Sequence, residues 1–175
     1  MKHLASAVAL SFGALACSVA ANAQSAADDD FVRRATLGNE QEIRDARLQL
    51  RTGTAPAVRT FAQLMIDDHA LALVKLRIAA RDAHVPAAAM PPLPRISSVD
   101  TAAPPGPNAA LAYFRLQVAD HRQMLALLQS EATGSGAVPL KQWASDEIPV
   151  VQHHLALAEV QVQAALSEPA PVASP

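Results

Sequence analysis

Cysteine is nearly absent from this chain of 175 residues: the only one is Cys17. It lies in an N-terminal stretch that reads as a removable leader, so the processed form is expected to have neither a disulfide framework nor thiol chemistry. Aromatic residues make up only 3% of the sequence, and β-branched alternation is sparse. Both features disfavour sheets, and the abundance of Ala favours helices. There is no basic excess either, with 14 Lys and Arg against 16 Asp and Glu. A nucleic-acid footprint needs clustered positive charge, so no nucleic acid is expected as a partner. Beyond the first two dozen residues no apolar run is long enough to span a bilayer. The chain also carries no nucleophile elbow and no Gly-rich phosphate loop, which leans the reading away from an enzyme.

The leader occupies residues 1–23. Met1-Lys2-His3 is a short basic start, residues 4–20 are apolar and small, and "ANA" at 21–23 ends on the small-x-small pattern of a signal peptidase site. Cleavage near Ala23 predicts a periplasmic or secreted protein beginning at Gln24. The rival outcome, lipid anchoring at Cys17, is disfavoured because Ala14 stands where a bulky aliphatic residue is usual. The remaining residues, about 150 of them, suit one domain with one core, over 24–166. A tail at 167–175, "SEPAPVASP", reads as disordered.

Four helices are expected between clear punctuation marks. The first runs from about Asp28 to Arg51, its start favoured by three acids at 28–30. Gly53 and Pro56 separate it from a second, about Ala55 to Ala83. Seven prolines between residues 86 and 107 exclude regular structure from most of the next stretch. The third helix covers about Asn108 to Ala132, and "TGSGAVP" divides it from the fourth, about Leu140 to Leu166. Short connections make one–two and three–four antiparallel hairpins. The Pro-rich link at 85–107, at roughly 3.1–3.3 Å per extended residue, can travel the length of a bundle. The expected fold is therefore all-α, a ferritin-like four-helix bundle with a crossover between helices two and three, an up-down-up-down bundle being the alternative.

Asp-His occurs twice, in "QLMIDDHALAL" and in "RLQVADHRQML", and both histidines fall where an apolar face should be. Phe61, Met65, His69, Leu73 and Leu76 form one inward stripe, and Leu111, Phe114, Val118, His121, Leu125 and Leu128 another. Trp143, Glu147, Val150, His154 and Leu157 form the third, while Phe31, Ala35, Gly38, Glu42 and Ala46 form the fourth. Glu42, His69, His121 and His154 each sit about 13 to 15 residues into their helix, at one depth of the bundle. A buried polar group without a partner costs on the order of 1–3 kcal/mol, so four in one layer are expected to meet each other or an ion.

Two readings of that layer stand. In one, Glu42 accepts hydrogen bonds from the imidazoles and the set is a structural network. In the other, His69, His121 and His154 hold a transition metal, with Glu42 as fourth ligand or as a partner behind an imidazole. Asp68 and Asp120 are placed at the edge of the buried face, able to orient an imidazole or to remain solvated. A di-iron centre needs Glu-x-x-His, but Ile66, Val118 and Val151 occupy those places, so zinc or copper is favoured as the cofactor. Met65 and Met124 add thioethers that copper accepts, although core packing is their commoner use. Glu131 and Glu147 lie away from the layer unless the helices are offset, and Pro149 is expected to kink or split helix four.

The blocks "DDDFVRRATLGNEQEI", "VRTFAQLMIDDHALALVKL", "YFRLQVADHRQMLALLQSEA" and "IPVVQHHLALAE" together resemble a secreted bacterial family, domain of unknown function 4142, over residues 29–162. The resemblance rests on Phe31, Glu42, Asp68-His69, Asp120-His121, and Ile148-Pro149 followed by His154. It implies a ferritin-like bundle and an exported location, often under the label of outer membrane protein, and it implies no established activity. The link departs from the family in its proline content and in reading "NAALAYF" before helix three. An envelope interaction module, with a partner protein or a second copy of the chain, is the third functional class compatible with these features.

Overall fold

The structure, a computed structural model, describes residues 12–52, 55–90 and 108–167, with side chains from residue 26 onward. Most of the Pro-rich link and of the C-terminal tail lies outside the described residues, as do the side chains of the leader, Cys17 included. Four helices make up the fold: α1 (Phe12–Arg51), α2 (Pro56–Asp82), α3 (Ala109–Thr133) and α4 (Val138–Ser167). One turn of 3-10 helix, Ala87–Ala89, follows α2 and packs on α1. The last three helices match the sequence boundaries within about two residues, the usual scatter of helix ends. The first is longer than expected, because α1 continues N-terminally of Asp28 through residues read as a leader. None of the described helices is long and apolar enough to cross a membrane.

Chain direction follows from two apolar clusters, one at each end of the bundle. Phe31 and Val32 near the start of the packed part of α1 meet Leu76 and Ala80 late in α2, Leu128 late in α3, and Leu140 and Trp143 early in α4. At the opposite end Ala46, Phe61, Met65, Tyr113, Phe114 and Ala158 come together. Helices α1 and α4 therefore run one way, and α2 and α3 the other. The principal contacts join α1 to α2, α3 to α4, α2 to α4 and α1 to α3, so α2 and α3 are parallel and diagonal. An up-down-up-down bundle cannot have this order. The link from Ala83 to Asn108 must begin at one end and finish at the other, which is the single-crossover arrangement.

Local chemistry explains how α2 stops. The Val85 N–H donates to the Ala80 carbonyl at 2.9 Å and the Ala83 N–H to the Ala79 carbonyl at 2.9 Å, while His84 takes a left-handed φ of 59°. This is a Schellman-type ending in which histidine stands where glycine is usual, with Val85 closing over the core and Pro86 preventing continuation. In α4 the helix passes through Pro149 without a break. Pro149 is exposed, so the carbonyl whose partner it removes can be solvated.

A left-handed residue with a Cβ costs roughly 1–2 kcal/mol relative to glycine. His84→Gly is therefore expected to raise stability by about 1 kcal/mol, read as a higher urea midpoint at unchanged m-value, while His84→Val should lower it.

Candidate metal centre

Between the two apolar clusters lies a polar layer. His69 from α2, His121 from α3 and His154 from α4 are all buried, with ring centroids 5.4 to 5.7 Å apart. Each ring has one nitrogen tied down on its outer side. His69 Nδ1 lies 2.8 Å from Asn39 Oδ1, His121 Nδ1 lies 2.9 Å from the Gln117 carbonyl oxygen, and His154 Nε2 lies 2.8 Å from Asp68 Oδ2. Every one of these partners is an acceptor. The Asn39 amide cannot be reversed without loss, because its Nδ2 donates to the Ala35 carbonyl at 2.7 Å. All three outer nitrogens must therefore carry the proton.

The tautomers follow, and with them the chemistry of the interior. His69 Nε2, His121 Nε2 and His154 Nδ1 are left as bare lone pairs, buried and without a hydrogen-bond partner. Among the described residues the three histidines form a ligand set whose donor atoms all lie within 4.8 Å of one another. Three atoms so spaced always have a point within about 2.8 Å of all of them. Zinc–imidazole bonds are about 2.0–2.1 Å, so each ring needs to close by less than about 1 Å to hold one ion.

The electrostatics suit neutral ligands. Burial, followed by the neighbouring His121 and His154, pushes the His69 imidazolium well below its ordinary range. Burial is also the largest cause for His121, whose pKa falls to about 4 despite the Gln117 carbonyl, and for His154, whose lowering Asp68 opposes. At neutral pH the layer contains free imidazole, the form that binds metals.

The remaining sequence candidates are distributed around this centre. Asp68 orients His154 from outside, its carboxylate half-buried against the imidazole. Glu42 is buried, but its Oε1 stands 3.7 Å from the outer Nδ1 of His121, on the far side of the ring from the convergent lone pairs. Burial first, then Asp120 and Asp45, raise its pKa to about 8. Asp120 joins Glu42 on a surface groove of about 290 Å³ between α1 and α3, away from the three-His centre. Met65 is packed in the apolar cluster with Phe61 and Phe114. Met124 lines both that groove and a small internal cavity beside His69 and His154. Gly38 makes room for it, since a Cβ there would come within 2.5 Å of the Met124 methyl. Glu147 is buried, lines the same small cavity, and meets Lys75 Nζ at 3.4 Å.

Two residues that position the imidazoles escape sequence reading. Asn39 is three before Glu42 and Gln117 is four before His121, so both occupy the inward phase, yet amides on helices usually mark the wet face. Gln117 is fully buried, and its contribution to His121 comes from the backbone carbonyl, which no side-chain pattern reports.

Four helices in single-crossover order, with an inward-facing trio of imidazoles oriented by outer-sphere acceptors, define a helical-bundle protein with a candidate mononuclear metal centre. The chain belongs to the family described as Domain of unknown function (DUF4142), whose model matches residues 14–160. No curated protein and no solved structure matches the chain.

A folded-state pKa raised from 4.5 to about 8 makes Glu42 a source of stability below pH 4.5 that is lost as pH rises through about 8. In metal-free protein, Glu42→Gln is expected to flatten the alkaline loss of stability between pH 6 and pH 9, by on the order of 1–3 kcal/mol. Parallel wild-type and mutant melts across that range check it.

Proposed function

We propose that the protein is an exported, ferritin-like, transition-metal-binding domain of the bacterial envelope, holding one zinc or copper ion through His69 Nε2, His121 Nε2 and His154 Nδ1. The observation that carries this reading is the orientation of those three atoms. A structural hydrogen-bond network would need donors inside the layer to meet the bare lone pairs, and the outer acceptors Asn39, Asp68 and Gln117 have drawn all three imidazole protons away. Left alone, each buried acceptor costs on the order of 1–3 kcal/mol. A cation turns the same arrangement from three penalties into three bonds. Acceptors behind ligating imidazoles fix tautomer and ring orientation in the same way at known metal sites. Di-iron chemistry lacks support here, because among the described residues no carboxylate joins the three-His set. The small-x-small segment ending at Ala23 supports export, with a mature N-terminus at Gln24.

The reading is tested on mature protein purified without a metal-affinity tag. Elemental analysis is expected to find close to one ion per chain in wild type and none in the double variant His69→Ala, His121→Ala. Chelation should lower the wild-type melting point only, by the equivalent of about 2.7 kcal/mol where free metal had stood at a hundredfold its dissociation constant. Asp68→Ala should weaken binding about 10–100-fold without abolishing it. A wild type that carries no metal, takes up neither added zinc nor copper, and melts identically with chelator overturns the proposal.

A further inference from the structure

Three imidazoles fill three positions of a four-coordinate ion; the Met124 thioether, which borders the cavity beside His69 and His154, suits a soft monocation, and a divalent ion is left without a matching protein ligand for the fourth. Among the described residues no carboxylate joins the three histidines in a set of ligand atoms within 4.8 Å of one another. Asp68 is engaged with the outer nitrogen of His154, Glu42 stands behind His121, and Glu147 meets Lys75. What does adjoin the centre is a cavity of about 10 Å³ bordered by His69 and His154. That volume corresponds to about one water molecule. Its exposed wall is almost entirely apolar, formed by Trp143, Val151, Leu128 and Met124, with Asn39, Asp68 and Glu147 at its border. A void walled in this way stays dry by itself, and an ion on the three histidines supplies, with Glu147, the polar partners that a water there needs.

We propose that an ion bound by the three histidines keeps its fourth position open into this cavity and binds a water or hydroxide there, with Glu147 accepting its hydrogen bond. The inference rests on the metal reading above and extends it to the kind of site. Closed structural zinc sites use four protein ligands, while three histidines plus solvent is the pattern of sites that act on a bound ligand. The space admits a ligand of about one non-hydrogen atom and excludes larger ones, because Trp143 is anchored across it by its Nε1–H donating to the Ala72 carbonyl at 3.2 Å. Lewis-acid activation of that water is the chemistry such a position provides. Ala72, buried on α2, forms part of the same wall and has a side chain small enough to leave the space free.

The experiment is electron paramagnetic resonance of the Cu(II)-loaded full chain in ordinary and in ¹⁷O-enriched water, for wild type and for Ala72→Val, which fills the cavity with two methyl groups. Three-nitrogen hyperfine structure in both proteins, with ¹⁷O broadening in wild type that disappears in Ala72→Val, is the expected result. Three nitrogens without any ¹⁷O effect in wild type overturn the open position while leaving the metal site intact. An ¹⁷O effect of equal size in both proteins overturns the assignment of the water to this cavity. Absence of the three-nitrogen signature in wild type overturns the metal reading itself and the open position with it. Should Ala72→Val fail to fold, the wild-type isotope comparison alone decides whether solvent is a ligand.

Discussion

Everything in this bundle is arranged around the cost of placing three imidazoles in a dry layer at mid-height. A histidine brought out of water must satisfy both ring nitrogens, and a helix offers few ways to do so. Here each ring takes an acceptor on its outer side from a different source: a side-chain amide on α1, a carboxylate on α2, and a backbone carbonyl within α3. The amide and the carboxylate reach across helix–helix interfaces, so they constrain rotation and axial register between α1 and α2 and between α2 and α4. The apolar clusters above and below provide most of the driving force, since burial of area is strong and non-directional. They do not by themselves choose a register, and the polar layer does.

The crossover belongs to the same logic. Parallel, diagonal α2 and α3 place His69 and His121 on opposite corners of the square, with α4 and its His154 adjacent to both. Three donors then approach a central point from three directions. The fourth corner, α1, contributes Asn39 rather than a fourth imidazole, and its Gly38 makes room for Met124. Glycine in the middle of a helix costs roughly 0.5–1 kcal/mol relative to alanine. Close approach of the Met124 methyl to α1 is the physical reason for accepting that cost here.

Much of this was legible in the primary structure, and the limits have identifiable causes. Four helices, their hinge points and the crossover followed from proline and glycine positions and from apolar periodicity, which are local signals. His69, His121 and His154 were recognisable because a polar residue in the inward phase is conspicuous. Asn39 was not, because an amide three residues from Glu42 competes for attention with a carboxylate on the same face. Relative depth was harder still. Counting residues from helix ends sets Glu147 apart from the layer, but packing is set by where Trp143 docks on α2, and that docking brings Glu147 to the cavity beside His69. Which side of an imidazole a carboxylate meets is a further step removed from periodicity. Asp68 and Glu42 both face outer nitrogens, one at 2.8 Å and one at 3.7 Å, and only coordinates distinguish those positions.

For an ion held by the three histidines, as proposed, charge would govern the choice more than ligand type. Three neutral imidazoles pass none of their own negative charge to a cation, so its full charge is buried with it, and burying unpaired charge is expensive. A dication needs more compensation than a monocation. Asp68 supplies some through the His154 ring, and Glu147 supplies more from the cavity wall, though Lys75 at 3.4 Å offsets part of its effect. Remove that compensation and the balance moves toward a monovalent soft ion, for which imidazole and the thioether of nearby Met124 are adequate partners. Keep it, and a divalent ion with a solvent ligand beside Glu147 becomes the better match, because the carboxylate then offsets charge and accepts a hydrogen bond at once. Half-buried Asp68 and the Lys75–Glu147 pair are thus the groups that would set the preferred charge of an ion held by the three histidines.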